Sequence, residues 1–206
     1  MEPVARAFAH HWPDADLVNL LEDSLSRDRA AEQHLSPAMT ARFDALTRYS
    51  LKIGAKGILF TCSAFGEAIE TARAGVKVPV LKPNEAMFEQ ALNAGGRIGM
   101  LATFQPSVES MEEEFEQAAR AVGSDARLQT VCVVDAMAAL KAGDVTAHNA
   151  LLANAASALG GCDAVMLAHF STSRARDAVS EVLDCPVLTS PGSAVAKLKA
   201  ALNQTA

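Results

Sequence analysis

The sequence predicts an α/β fold built from two pseudo-twofold-related parallel-sheet domains, with the active site in the cleft between them. Three observations predict it. Short apolar runs alternate with longer segments of helical spacing along the whole chain, the rhythm of units whose strands lie parallel. The halves repeat at a constant offset of 107 residues: Gly54 matches Gly161, Ile58-Leu59-Phe60 matches Val165-Met166-Leu167, and Val78-Pro79-Val80-Leu81 matches Cys185-Pro186-Val187-Leu188. At that offset Cys62 falls on His169, each where a strand gives way to a helix, and strand ends of this kind are where α/β proteins hold ligands.

The elements follow in order. Pro3 suits a first helical position, and Val4, Ala7, Phe8 and His11 follow at helical spacing until Trp12-Pro13 ends the pattern. Leu17 to Leu21 reads as a strand, and the polar stretch from Glu22 to His34 as a long loop or short irregular helix that could form part of a lid. Ser36-Pro37 caps and opens a helix whose apolar stripe runs through Met39, Phe43, Leu46, Tyr49 and Ile53 to Gly54. A strand ending at Thr61-Cys62, a helix from about Ala64 to Ala74, a short strand over Val78 to Leu81 and a helix opened by Pro83 complete residues 1–95, the first repeat.

The second repeat, 96–206, begins with a strand from Arg97 to Thr103. Pro106 then opens an acidic helix carrying Met111, Phe115 and Ala119. Glu109, Glu112, Glu113, Glu114 and Glu116 read as a solvated face suited to an N-terminal half-helix. Leu128 to Val134 is a strand, Asp144 caps a helix through Leu159, and Ala164 to Ala168 is a strand ending at His169. A helix over Ser171 to Leu183, a strand at Pro186-Val187-Leu188 and a last helix from Pro191 to Leu202, expected to pack across onto the first repeat, close the chain. The first repeat starts at the helix, without the strand that opens the second. Either the natural chain is longer, or this copy has lost a central strand and something else covers the sheet edge.

Composition narrows the function. The 206 residues are half apolar, enough for one large core or two small ones. A formal charge of -6 without a Lys/Arg cluster argues against nucleic-acid partners. No apolar run reaches the length of a membrane span and no secretory pattern opens the chain, so a cytoplasmic enzyme with no membrane partner is expected. Cys62, Cys132, Cys162 and Cys185 are far apart, without metal-ligand spacing, which argues against a metal site or a disulfide framework.

A thiol where a strand meets a helix N-terminus lies among unpaired N–H groups, which hold anions and favour thiolate. Free cysteines are more often small buried hydrophobes; position is what favours Cys62. His169 alone would more often be structural; as the partner of Cys62 across a cleft it becomes the second proton carrier, and Cys62, as thiolate, is expected to remove the α-proton from one face of a carbon acid while His169, as imidazolium, returns one to the other. The helix N-termini, with Thr61, Ser63 and Ala64 on one side and Phe170, Ser171 and Thr172 on the other, are the expected substrate-binding turns. Thr103, Gln105 and Ser107 follow a strand in the same layer and are candidate substrate contacts. Surface polarity explains Gln105 equally well, and helix capping explains Ser107 equally well.

The Thr61-Cys62-Ser63 turn, the Val-Pro-Val and Cys-Pro-Val strands, Asn84-Glu85-Ala86 and the twofold layout together resemble the aspartate/glutamate/hydantoin racemase superfamily. The resemblance implies two α/β domains, a cleft with neither metal nor pyridoxal cofactor, a small-molecule carboxylate substrate and two cysteines as base and acid. Cys62 stands at the first of these positions, and His169 stands at the second. With the open sheet edge, the resemblance also implies a homodimer or higher homo-oligomer. The expected activity is a cofactor-independent racemase or epimerase of an amino acid or hydantoin-like carbon acid. The alternatives are a single-cysteine decarboxylase or cis-trans isomerase of a small dicarboxylate, and a non-catalytic ligand-binding protein.

Overall fold

The structure, a computed structural model, describes residues 2–32 and 34–204. Helix α1 (Glu2–His11) is followed by α2 (Ser24–Ala31) and α3 (Pro37–Lys52); Ser36 caps α3, its hydroxyl accepting from the Met39 amide. Strand β1 (Ile58–Leu59) leads through a turn of 3-10 helix into α4 (Gly66–Arg73), and β2 (Val80–Leu81) leads into α5 (Glu85–Ala94). The second half runs β3 (Arg97–Ala102), α6 (Val108–Ala121), β4 (Arg127–Cys132), α7 (Val134–Lys141), α8 (Val145–Ala156), β5 (Ala164–Leu167), α9 (His169–Thr172), α10 (Arg176–Ser180), β6 (Val187–Thr189) and α11 (Ser190–Asn203).

All strand pairs are parallel. β1 pairs with β2 in one sheet, and the other has the order β4-β3-β5-β6. The repeat extends to single hydrogen bonds: Ile58 N donates to the Pro79 carbonyl and Val165 N to the Pro186 carbonyl, both at 2.9 Å.

Alternate β3 side chains enter opposite layers, as a pleated strand requires. Ile98, Met100 and Ala102 pack with Met87, Phe88, Met111 and Phe115 of α5 and α6. Leu101 packs on the other face with Leu152, Leu159 and Val179. Gly99 sits where space is tight: a Cβ there would stand 3.0 Å from side-chain atoms of Leu159 and Val165. In the first half Met39, Phe43, Ile58, Phe65 and Ile69 form one core, and Val4, Phe8, Leu81, Val195 and Leu198 join α1 and β2 to α11.

Several expectations need correction. Residues 17–21 form no strand, because among the described residues no backbone pairs with them to complete a ladder. Of the stretch from Glu22 to His34, whose Gln33 lies outside the described residues, Ser24–Ala31 is a helix; Glu22 and Asp28 bind Arg42 of α3. Tyr49 and Ile53 are exposed, and Thr47 and Ser50 take the inner face of α3 instead. Helix α7 begins at Val134, where a strand was expected to continue. Glu114 leaves the solvated face: it is half-buried, accepts from Asn84 Nδ2 at 3.4 Å, and burial pushes its carboxyl above the usual range. Among the described residues no helix is long and apolar enough to cross a membrane.

The two edges of the apolar pattern differ in what they support. Leu101→Ala should destabilise the protein by about 2–5 kcal/mol, whereas Leu21→Ala, at an exposed position, should stay within about 0.5 kcal/mol; equilibrium denaturation of the two variants checks this.

Candidate active site

Cys62 follows β1 and has extended backbone (φ -122°, ψ 119°) at the entry to the 3-10 turn Ser63–Phe65. Its thiol is exposed, while the other three cysteines are half-buried. Burial pushes the Cys132, Cys162 and Cys185 thiols up, which disfavours thiolate chemistry at those positions.

His169 follows β5 at the matching place but has a different backbone. Its φ is 71°, the left-handed region, and among the described residues it is the non-glycine residue with positive φ. Such a conformation costs on the order of 1–3 kcal/mol and persists where surrounding contacts hold it. Two contacts do so. Thr172, fully buried, donates its hydroxyl to the carbonyls of Ala168 and of His169, the latter at 2.8 Å. Ser107 Oγ lies 2.7 Å from His169 Nε2 and also donates to the Phe104 carbonyl at 2.8 Å.

That second bond decides the tautomer. With its proton given to Phe104, the Ser107 oxygen offers a lone pair, so Nε2 carries hydrogen and donates to it. The remaining nitrogen, Nδ1, is buried without a hydrogen-bond partner. Burial lowers the imidazole pKa from its ordinary value, and the Ala168 backbone acts in the other direction. The ring is therefore neutral at neutral pH.

The remaining predicted residues divide. Thr61, Cys62 and Phe170 line one cavity of about 1110 Å³, and His169 is not among its lining residues. The backbone of Ser63 and Ala64 forms the turn after Cys62. Ser171 is half-buried in α9, and Thr172 is spent on backbone carbonyls. Thr103 is buried with no partner for its hydroxyl, while Gln105 is exposed. Ser107 stands against the imidazole, a pairing the sequence carried no signal for because residues 62 apart meet through β3 and β5. Among the described residues no group of three or more His, Cys, Asp or Glu side chains is placed to hold a metal ion.

The structure is a helix-flanked parallel α/β framework with a thiol and an imidazole at equivalent strand ends. The family described as Asp/Glu/Hydantoin racemase matches residues 1–159, and the chain belongs to it. No curated protein matches the sequence. Among solved structures, a glutamate racemase isoform from Bacillus anthracis is similar at TM-score 0.70 and 12% identity, covering 99% of this chain and 78% of that one. The allantoin racemase from Pseudomonas fluorescens gives TM-score 0.70 and 14% identity over 99% and 85%. An arylmalonate decarboxylase gives 0.63 and 15% over 97% and 87%. These likenesses share the fold.

Ser107→Ala should leave the His169 ring without its acceptor. Nitrogen-15 NMR should show the Nε2–H tautomer in the unmodified protein and a mixture of tautomers in the variant.

Proposed function

We propose that the protein is a cofactor-independent racemase or epimerase of a small carboxylated or cyclic-amide carbon acid, with Cys62 and His169 as the two proton carriers. The observation that supports it most is the unpartnered Nδ1 of a neutral imidazole, held in a left-handed backbone at the position equivalent to Cys62. A buried polar atom with no partner is uncommon and calls for a reason; proton acceptance supplies one.

Burial favours neutral His169 rather than the imidazolium the sequence led us to expect, which reverses the expected order: His169 is the base and Cys62 returns the proton. Nδ1 takes the α-proton as the C–H bond breaks, and its electron pair passes into the adjoining carbonyl group. The Cys62 Sγ–H proton is then delivered to the opposite face of the carbon. The enzyme is left with an imidazolium and a thiolate, the pair that processes the opposite enantiomer, so each turnover prepares the reverse one. N–H groups at the first turns after Cys62 and His169 are the groups suited to stabilising the enolate charge.

A second reading follows from the cavity that Cys62 lines without His169. There the thiol works alone, as a decarboxylase or cis-trans isomerase of a small dicarboxylate would use it, and His169 only shapes the wall.

Incubation in D2O with amino acids, hydantoins and malonates separates these readings. For racemisation, α-carbon exchange should fall by at least about a hundredfold in both Cys62→Ala and His169→Ala. Exchange that survives His169→Ala but not Cys62→Ala favours the single thiol, and absence of exchange with every compound rejects both. Because burial lowers the His169 pKa, the base form persists into mild acid. The acid limb of kcat/KM should therefore lie below the ordinary histidine value of about 6.5, as a pH–rate profile will show.

A further inference from the structure

The chain passes between its halves twice. β2 lies in the first sheet, yet α5 after it packs on the second, with Met87, Phe88 and Ala91 in one core with Ile98 and Phe115. β6 lies in the second sheet, yet Val195 and Leu198 of α11 pack with Val4 and Phe8 of α1. Pro83 and Ser190, at the two crossings, are 107 residues apart, so the crossings are equivalent points of the repeat. Element ends that join two packed bodies are where a hinge sits.

The crossings are bonded to each other. Ser190, fully buried, donates its hydroxyl to Asn84 Oδ1 at 2.8 Å. Asn84, also buried, occupies the N-cap of α5 but makes no side-chain cap bond there, although capping is the ordinary use of an asparagine at that position. Its amide nitrogen donates instead to Glu114 Oε2 of α6, at 3.4 Å. The seam continues along the two crossing helices, from Ser193 to Gln90 at 2.7 Å and from Lys197 to Glu89 at 2.6 Å.

Glu114 is the titratable end of this chain, and it reaches across the halves. Its Oε1 stands 3.7 Å from where a Cβ on Gly66 would be, so the carboxyl lies over the start of α4, the helix that follows the Cys62 turn. Burial raises the carboxyl, while the Asn84 donor and the Lys82 charge act in the other direction. Lys82 is itself held by Glu70 of α4 at 2.7 Å, and Arg73 of α4 is occupied by Glu70 at 2.6 Å and by Glu85 of α5 at 2.8 Å. Ionised, Glu114 is a half-buried charge without an ion pair among the described residues, a state that favours turning out to water.

We propose that Glu114, Asn84 and Ser190 form a latch between the halves, closed while the Glu114 carboxyl keeps its proton and released when it ionises. Closed, it holds the Cys62 and His169 turns at a fixed separation; released, it lets the halves part for a ligand to enter or leave. Its consequence for turnover rests on the racemase reading, whereas the latch itself does not. The sign follows from linkage: the closed form binds the proton more tightly than the open one. Its advantage is complete below the ordinary carboxyl value of 4.5 and is lost as pH rises through the raised value.

Two amides report the latch, one at each crossing: Phe88 N donates to the Asn84 carbonyl at 3.0 Å and Gly192 N to the Thr189 hydroxyl at 3.2 Å. The test is hydrogen exchange by NMR on the full chain, corrected for the intrinsic effect of pH, with Met100 of β3 as internal reference. Between about pH 5 and about pH 8 the protection of Phe88 and Gly192 should fall at least about tenfold while that of Met100 holds. In Glu114→Gln, which keeps the shape and cannot ionise, both amides should stay protected across that range. Ser190→Ala should lower the protection of both at the acid end as well. Protection independent of pH in the unmodified protein, the same pH dependence in Glu114→Gln, a parallel loss at Met100, or no effect of Ser190→Ala would overturn the proposal. None of these readouts involves turnover, so failure here is separate from failure of the racemase reading.

Discussion

A strand inside a parallel sheet must satisfy backbone groups on two edges, and the difference between the halves of this protein follows from where that condition is met. β3 is bonded to β4 on one side and β5 on the other. Its side chains are consequently sealed between α5 and α6 on one face and α7, α8 and α10 on the other. In the first half, among the described residues, β1 is bonded on one edge, to β2. Leu59 and Phe60 are half-buried where Met166 and Leu167 are fully buried, although the residue types match. The same sequence unit thus yields fully buried side chains in one sheet and half-buried ones in the other.

The closed half also shapes its strand end. β3 carries the chain past Thr103 to Ser107, and Ser107 holds the imidazole that follows β5. With Thr172 turned back on the carbonyls beneath it, His169 is held in a backbone conformation that an L-residue seldom adopts. Among the described residues no side chain holds Cys62 in this way: its backbone is ordinary and its thiol is open to solvent. Two equivalent positions therefore differ in rigidity as well as in chemistry, the imidazole preset and the thiol uncovered.

Helix α11 ties the halves together. Val195 and Leu198 pack with Val4 and Phe8 of α1, Lys199 Nζ donates to the His11 carbonyl at 3.0 Å, and Ser193 donates to Gln90 of α5 at 2.7 Å. Ser190, at the start of the same helix, donates to Asn84, whose amide donates in turn to Glu114 of α6. A buried polar chain of this kind links α11, α5 and α6 through groups that are costly to leave unpaired.

The alternation of elements, the repeat and the strand ends at Cys62 and His169 were legible in the sequence because they rest on local periodicity and on self-similarity along the chain. Helix starts marked by Ser36 and Asp144 were legible for the same reason, since a cap bonds within its own turn. Residues 17–21 were not: their apolar pattern is that of a strand, but a strand exists only when another backbone lies beside it. Tertiary packing alone decided that Tyr49 faces water, that Glu114 enters an interior, and that Ser107 meets His169. Each of those depends on which distant surface arrives at the residue, and spacing along the chain carries no record of that.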